Sequence, residues 1–548
     1  MISVRRSGLL LLVVVGSPAS AQSAAATQAP LAAAESAYSR LRQVKDRIDI
    51  LHYRAPFPGA ADSIQLLAAP YLTARSGFIA SLPVDSMTLT DSMDRRAFAT
   101  MHRALDTELP AHPAQSAERP DTSAAACRYD PAALLADGGT TLLGRRIYGC
   151  FGAAASYLEV GGERLTRLTL LARLSAEPVP GRRRKLFMAL EPAWLAVNGG
   201  AVSPYRVLLA ARARKWRPGE RPYERSAVQF GVPADTVVAW LERMLDAWRR
   251  ATPDRPVEPW DLYFEMGAAA RRLRPRIPRD SLLALNRRYY QSLGADPDSL
   301  GVRYDILPRE GKGPVAFTSI GRRVGAGSRP QSWVFATYPE GGFDNLEELL
   351  HETGHGIHLA GLATRPAFTD WPLSDIFTEA IADLAALEVY EPEWQHRFLG
   401  ASAGLAPSLR AKYFGIMMDM AWALFEIRLE RQPTADPNRV WAELTGHYLH
   451  LVPHPELSWW ALRGQLIEET GYMLNYALGA IMVADLRAGI AKRHGRYTTG
   501  DPTWYGFVQQ HIYRFGLERS ARRVVADFLG REPTPRALLE DLNRLHPH

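Results

Sequence analysis

The stretch LLHETGHGIHLA, Leu349 to Ala360, decides how this chain is read. On a helix, residues i and i+4 share a face about 5 to 6 Å apart, so the imidazoles of His351 and His355 can converge on a single ion. Glu352, about one third of a turn away, can address a water on that ion. With 14 histidines in 548 residues, chance produces an HExxH pattern about 0.02 times in such a chain. The bland alternatives are a buried structural histidine pair and a surface coincidence.

A metal site that catalyses needs a third protein ligand and an open position. Glu379 lies 24 residues beyond His355 in DIFTEAIADLAALE, and as a glutamate on a following helix it is expected to complete a triad with His351 and His355 around one zinc ion per chain. Asp383, one turn later on the same face, can accept a hydrogen bond from a ligand imidazole and hold its orientation. Glycine inside a helix costs about 1 kcal/mol against alanine. Gly354 therefore predicts a close approach by a neighbouring strand or by the substrate. His358 falls on nearly the same face and is read as a packed or supporting histidine rather than a fourth ligand.

Working outward, GPVAFTSIG and QSWVFATYP, between Gly313 and Tyr338, are the best strand candidates. Asp344 is an N-cap candidate for the long helix that carries the motif. Beyond it the chain reads mainly helical: Asp375 to Tyr390, Ser408 to Gln432, Pro437 to His450, Leu462 to Arg493 and Trp504 to Phe515. Upstream, helical spacing recurs from Tyr38 to Leu51, around Met93 to Leu105, and over Asp235 to Arg250, Trp260 to Leu273 and Ser281 to Leu293. Pro110 to Ala126 reads as a linker. The expected organisation is a signal peptide at 1–21, a mobile leader at 22–34, a mostly helical region at 35–300 and a metal-site region at 301–548.

The signal peptide rests on Arg5 and Arg6, the apolar run Leu9 to Val15 and the triplet Ala19-Ser20-Ala21. A twin-arginine signal and an uncleaved anchor remain alternatives. Export to a bacterial periplasm or medium follows, with no stable membrane insertion after cleavage. Hydrophobic content of 47% and charged content of 22% fit a globular chain and exclude bulk disorder. A net charge of +7 raises the question of nucleic acid, but the basic residues are scattered, so a solvated surface is expected and no nucleic-acid partner. Cys127 and Cys150 allow one disulfide.

At these residues the chain resembles the gluzincin zinc peptidases, specifically the angiotensin-converting enzyme family and its helical relatives thimet oligopeptidase and oligoendopeptidase F. HETGH has the HExGH form of both branches. TEAIADLAALEVYEP, Thr378 to Pro392, and SWWALR, Ser458 to Arg463, are similar to converting-enzyme segments. GYMLNYALG, Gly471 to Gly479, is more similar to the tyrosine-bearing stretch of oligoendopeptidase F. The resemblance covers about the last 240 residues. It implies a mainly α, large helical two-lobed peptidase with a deep central channel and a small β-sheet beside the HExxH helix. It also implies Tyr476 as a hydrogen-bond donor to the tetrahedral intermediate, with Tyr472 one turn earlier.

Both branches carry a histidine ten to twelve residues before that tyrosine. Here the window holds Gly464 to Leu466, and His454 lies too far upstream to align. The implied activity is hydrolysis of short unfolded peptides with Glu352 as general base. Two alternatives stay open: dipeptide release from the C-terminus, as in the converting enzyme, and a zinc-bound but catalytically silent peptide-binding protein.

Overall fold

The computed structural model describes residues 18–54, 60–83, 89–106, 126–156, 158–309, 312, 315–323 and 329–545. Arg5, Arg6, Leu9 to Val15 and most of the expected linker lie outside them. Five helices frame the architecture: α1 (Pro18–Arg54), α2 (Phe343–Gly361), α3 (Asp375–Ala386), α4 (Leu405–Arg431) and α5 (Met473–Arg493). Two small sheets complete it. One is the hairpin of β1 (Leu158–Val160) and β2 (Glu163–Leu165); the other contains β3 (Val302–Asp305), β4 (Phe317–Arg322) and β5 (Gln331–Phe335).

The three-stranded sheet has the order β3-β5-β4, with β3 parallel and β4 antiparallel to β5. β4 is thus an edge. The expected strands at 313–338 are β4 and β5; β3 carries no strand signal in the sequence because VRYD is short and half charged. The sheet packs beside α2, where a Cβ on Gly356 would stand 3.0 Å from Ser332 Oγ and 3.1 Å from Val302.

One hydrophobic core runs from Leu143 to Leu545. It crosses the boundary expected near residue 300, so the two halves are not separately cored. A second, smaller core joins Leu31, Tyr38, Leu41, Phe78 and Met101 to Phe368. The periodic residues Tyr38, Leu41 and Ile48 are buried on α1 as their spacing requires. Within the expected mobile leader, Leu31 and Ala34 are also buried, so its end is a packed part of α1.

Charge fastens this N-terminal unit to the rest. The Arg323 guanidinium, at the end of β4, lies 2.6 and 3.0 Å from the Asp46 carboxylate and 3.0 Å from Asp370. Arg365 reaches Glu35 at 2.7 Å and Asp94 at 2.6 Å. Farther on, Cys127 and Cys150 form a disulfide, tying the helix Pro131–Ser156 to the segment before it.

Three departures from the helices the sequence predicts stand out among several shifted ends. Asp344 lies in the first turn of α2, whose N-cap is Gly342. The helix expected over Trp260 to Leu273 is interrupted at Gly267. The helix expected over Leu462 to Arg493 breaks at Gly471, where φ is +82° and a Cβ would meet Pro222 at 2.7 Å. That break places Tyr472 at the N-cap of α5. α5 is long and apolar enough to cross a membrane by length and composition, yet most of its apolar stretch is buried inside the protein.

Candidate active site

α2 and α3 pack against each other, and their closest approach explains Gly354. A Cβ there would stand 2.3 Å from the Ala382 carbonyl oxygen. The neighbour is therefore the backbone of α3, not a strand or a substrate as expected. The approach brings together the three residues that spacing paired: ligand atoms of His351, His355 and Glu379 all lie within 4.8 Å of one another. His351 Nε2 is 3.4 Å from Glu379 Oε2, and the two imidazole rings are 4.8 Å apart, edge to face.

The other ring nitrogen of His351 is spent on α3. Nδ1 is 2.6 Å from Asp383 Oδ1; an ionised carboxylate only accepts, so Nδ1–H donates and Nε2 is left for an ion. Burial works against a charged His351, but Asp383 and Glu379 outweigh it and raise its pKa well above the ordinary value. Burial, then the neighbouring His351, pushes His355 down to about 3. The neutral imidazole is the ligating form, which His355 already holds; at His351 an incoming ion has to displace the Nε2 proton. Glu379 stays ionised because hydrogen bonding and charge from His351 oppose its burial. Two imidazoles and a carboxylate so arranged fit a divalent metal ion.

Glu352 lies in the same cavity and is 6% exposed. The Thr318 hydroxyl on β4 donates to it, with carboxylate Oε2 at 2.7 Å and the main-chain oxygen at 2.8 Å. Burial pushes Glu352 up to about 7, against the opposing pull of His351 and Thr318. No sequence pattern links Thr318 to Glu352, because the pairing exists only once β4 docks on α2.

A cavity of about 840 Å³ contains these groups. Its walls come from both halves of the chain, including Arg167 and Tyr263 as well as β4, α2, α3, α4 and α5. Tyr476 and Tyr472 line it, their rings 5.7 Å apart. Burial and then Glu379 raise both hydroxyls, Tyr472 to about 12 and Tyr476 higher, so each keeps its proton. Glu426 on α4 fixes the start of α5 by accepting from Gly471 N at 2.8 Å and Met473 N at 2.9 Å.

His358 is 1% exposed and packs against Trp371, Phe377 and Tyr513. Burial pushes it down to about 3; it is a core histidine behind the site. His454 pairs with Glu258 and Glu456 outside the cavity. In the window where the resemblance places a histidine, Gln465 lines the wall, with Arg463 just before the window. Arg463 pairs with Asp419 and lies over the Tyr476 ring at 5.6 Å.

No protein-family profile matches the chain, and no curated protein matches it in sequence. Solved structures do share its fold. PZ peptidase A, solved with an inhibitor, is 12% identical over 93% of this chain and 96% of its own, with a TM-score of 0.55. Trypanosoma cruzi metallocarboxypeptidase 1 is 14% identical over 95% and 99%, with a TM-score of 0.53. An M32 carboxypeptidase from Deinococcus radiodurans R1 is 14% identical over 94% and 99%, with a TM-score of 0.51. At such identities the likeness is one of fold, and the mainly helical peptidase fold that the resemblance implied is the fold of this chain.

Proposed function

We propose that this protein is a zinc-dependent peptidase acting on short, unfolded peptides. One observation carries the reading: His351, His355 and Glu379 converge within 4.8 Å in a cavity that also holds Glu352. Three protein ligands leave a position open, as catalytic zinc sites do and structural ones do not. When bound there, the ion supplies a lowered pKa for water and polarisation for a carbonyl.

The chain's own residues do the rest. Glu352, held by Thr318, takes a proton at its carboxylate and returns it to the leaving amine. Tyr476 donates a hydrogen bond to the oxygen on which charge develops, a contribution of a few kcal/mol in such sites. Asp383 keeps His351 in its ligating orientation. β4 is an edge strand whose Phe317 and Thr318 line the cavity, so an extended peptide backbone can add to it. The N-terminal segment supports export of the chain.

Glu352→Gln tests this: the variant keeps zinc and loses hydrolysis of a quenched peptide library, while His355→Ala loses the metal. Cleavage by Glu352→Gln at the wild-type rate refutes the mechanism. A second reading, release from the C-terminus, is favoured by Arg167. It lines the cavity beside Arg463, and no carboxylate among the described residues pairs with it. Products from free and C-terminally amidated peptides distinguish the two.

A further inference from the structure

Helix α5 carries Tyr472 and Tyr476 into the catalytic cavity, and the groups that fix its start lie on α4. Asp419, Trp422, Glu426 and Glu430 recur along α4 at helical spacing and so share one face. Asp419 and Trp422 line the cavity. Glu426, one turn after Trp422, is 1% exposed and meets the site only through the backbone it holds.

Taking a carboxylate out of water is costly unless its oxygens are used. Both oxygens of Glu426 are used on one target: Oε1 accepts from Gly471 N at 2.8 Å and Oε2 from Met473 N at 2.9 Å. These two amides flank Tyr472, the N-cap of α5, where a helix favours negative charge. Burial pushes the Glu426 carboxyl up to about 8, and the two amides oppose it. The carbonyls just upstream are held from the other half of the chain, since Arg212 donates to those of Ile467 and Glu468 at 2.8 and 3.0 Å.

Tyr476, one turn into α5, is touched from α4 a second time. Arg463 pairs with Asp419 and lies over Trp422 at 4.9 Å as well as over the Tyr476 ring at 5.6 Å. One face of α4 thus grips the start of the helix that carries the phenol and backs the arginine that packs on its ring. We propose that Glu426 is a positioning residue for Tyr476: clamped on the Gly471 and Met473 amides, its carboxylate sets where α5 begins and so where the phenol stands in the catalytic cavity. Glutamine does not replace it, because an amide offers one acceptor oxygen and turns its own N–H groups toward the other backbone N–H. That this placement serves catalysis rests on the peptidase reading above; the placement itself does not.

The placement is read without turnover, by fluorine NMR of protein labelled with fluorotyrosine, in which the Tyr476 signal is the one that Tyr476→Phe removes. That signal is expected to shift in Glu426→Gln and to stay in place in Glu430→Gln, which alters an equally buried carboxylate one turn on and leaves both amides held. A Tyr476 signal unmoved in Glu426→Gln overturns the proposal, whether or not the protein hydrolyses peptides. The consequence is read by kinetics on zinc-loaded protein, on the alkaline side of the Glu426 pKa. Glu426→Gln should lower kcat about 10 to 100-fold, as misplacing a reacting group by about an ångström does, with KM and zinc content unchanged. In a Tyr476→Phe background it should cost less than about twofold, because the two residues act through one donor. Losses that multiply in the double variant, or a loss carried by KM, overturn the assignment to Tyr476. If Glu426→Gln does not fold, Glu426→Asp, which draws the carboxylate back by one methylene, takes its place with the same expectations. A wild-type protein that hydrolyses nothing sinks the peptidase reading and leaves the NMR result to decide this one.

Discussion

Asp383 Oδ1 stands 2.6 Å from His351 Nδ1, so the carboxylate on α3 sets the direction of an imidazole on α2. Removing such a partner lowers metal affinity by about 10 to 100-fold. Asp383→Ala is expected to lose zinc to a competing chelator at correspondingly lower chelator concentration. Asp383→Asn, which keeps an acceptor oxygen, should fall between it and wild type.

Thr318 acts on Glu352 through one hydroxyl. A hydrogen bond to a charged group contributes about 1.5 to 3 kcal/mol, so Thr318→Val should lower kcat by about 10 to 100-fold with little change in KM. Thr318→Ser should restore most of it. Steady-state kinetics on zinc-loaded protein decides: a variant that moves KM alone places Thr318 in substrate binding instead.

Gly354→Ala drives a methyl group to within 2.3 Å of the Ala382 carbonyl. Helices α2 and α3 must then separate, at a cost of about 1 to 3 kcal/mol, and the Glu379 carboxylate moves off the two imidazoles. The expected outcome is a lower Tm together with weaker zinc retention. An equally stable variant with full metal content would contradict this account of the glycine.

Glu430 gives a stability prediction with a defined sign. It is 1% exposed, accepts from Tyr223 N at 3.2 Å through Oε2 and leaves Oε1 unpaired. Burial, reinforced by Glu426, raises it to about 9. A carboxyl raised above its unfolded value contributes stability in full below that value, and the contribution is lost as pH rises toward the folded one. Glu430→Gln keeps the acceptor and cannot ionise. Relative to wild type it should gain stability from about pH 5 to pH 9, by at most about 1.4 kcal/mol per unit. Urea midpoints across that range measure it.

The Cys127–Cys150 bridge closes a loop with a sequence separation of 23, for which chain entropy gives about 3 kcal/mol. Cys127→Ser should lower the free energy of unfolding by an amount of that order without changing zinc content. Denaturant titration with and without reductant provides the comparison.

The range of each interaction decides whether it is legible in sequence. His351, His355, Glu379 and Asp383 are legible because i, i+4 spacing on two helices is a local rule. The partner of Gly354 is not, since nothing local says which backbone approaches. The break at Gly471 is hidden because a glycine in a helical pattern reads as a tolerated defect, while its positive φ and the Pro222 side chain that leaves no room for a Cβ there appear only in the folded chain. Thr318 and the partition of the core depend likewise on tertiary docking, which leaves no period in the sequence.

The Arg323 clamp ties the fate of the N-terminus to that of the catalytic wall. Arg323 closes the strand that carries Thr318, and its buried carboxylate partner, Asp46, comes from α1. Maturation at the boundary expected near residue 21 leaves that clasp whole. Trimming past Asp46 would undo the buried half of that clasp and leave Asp370 as the carboxylate still facing Arg323, loosening the end of the strand from which Thr318 reaches Glu352.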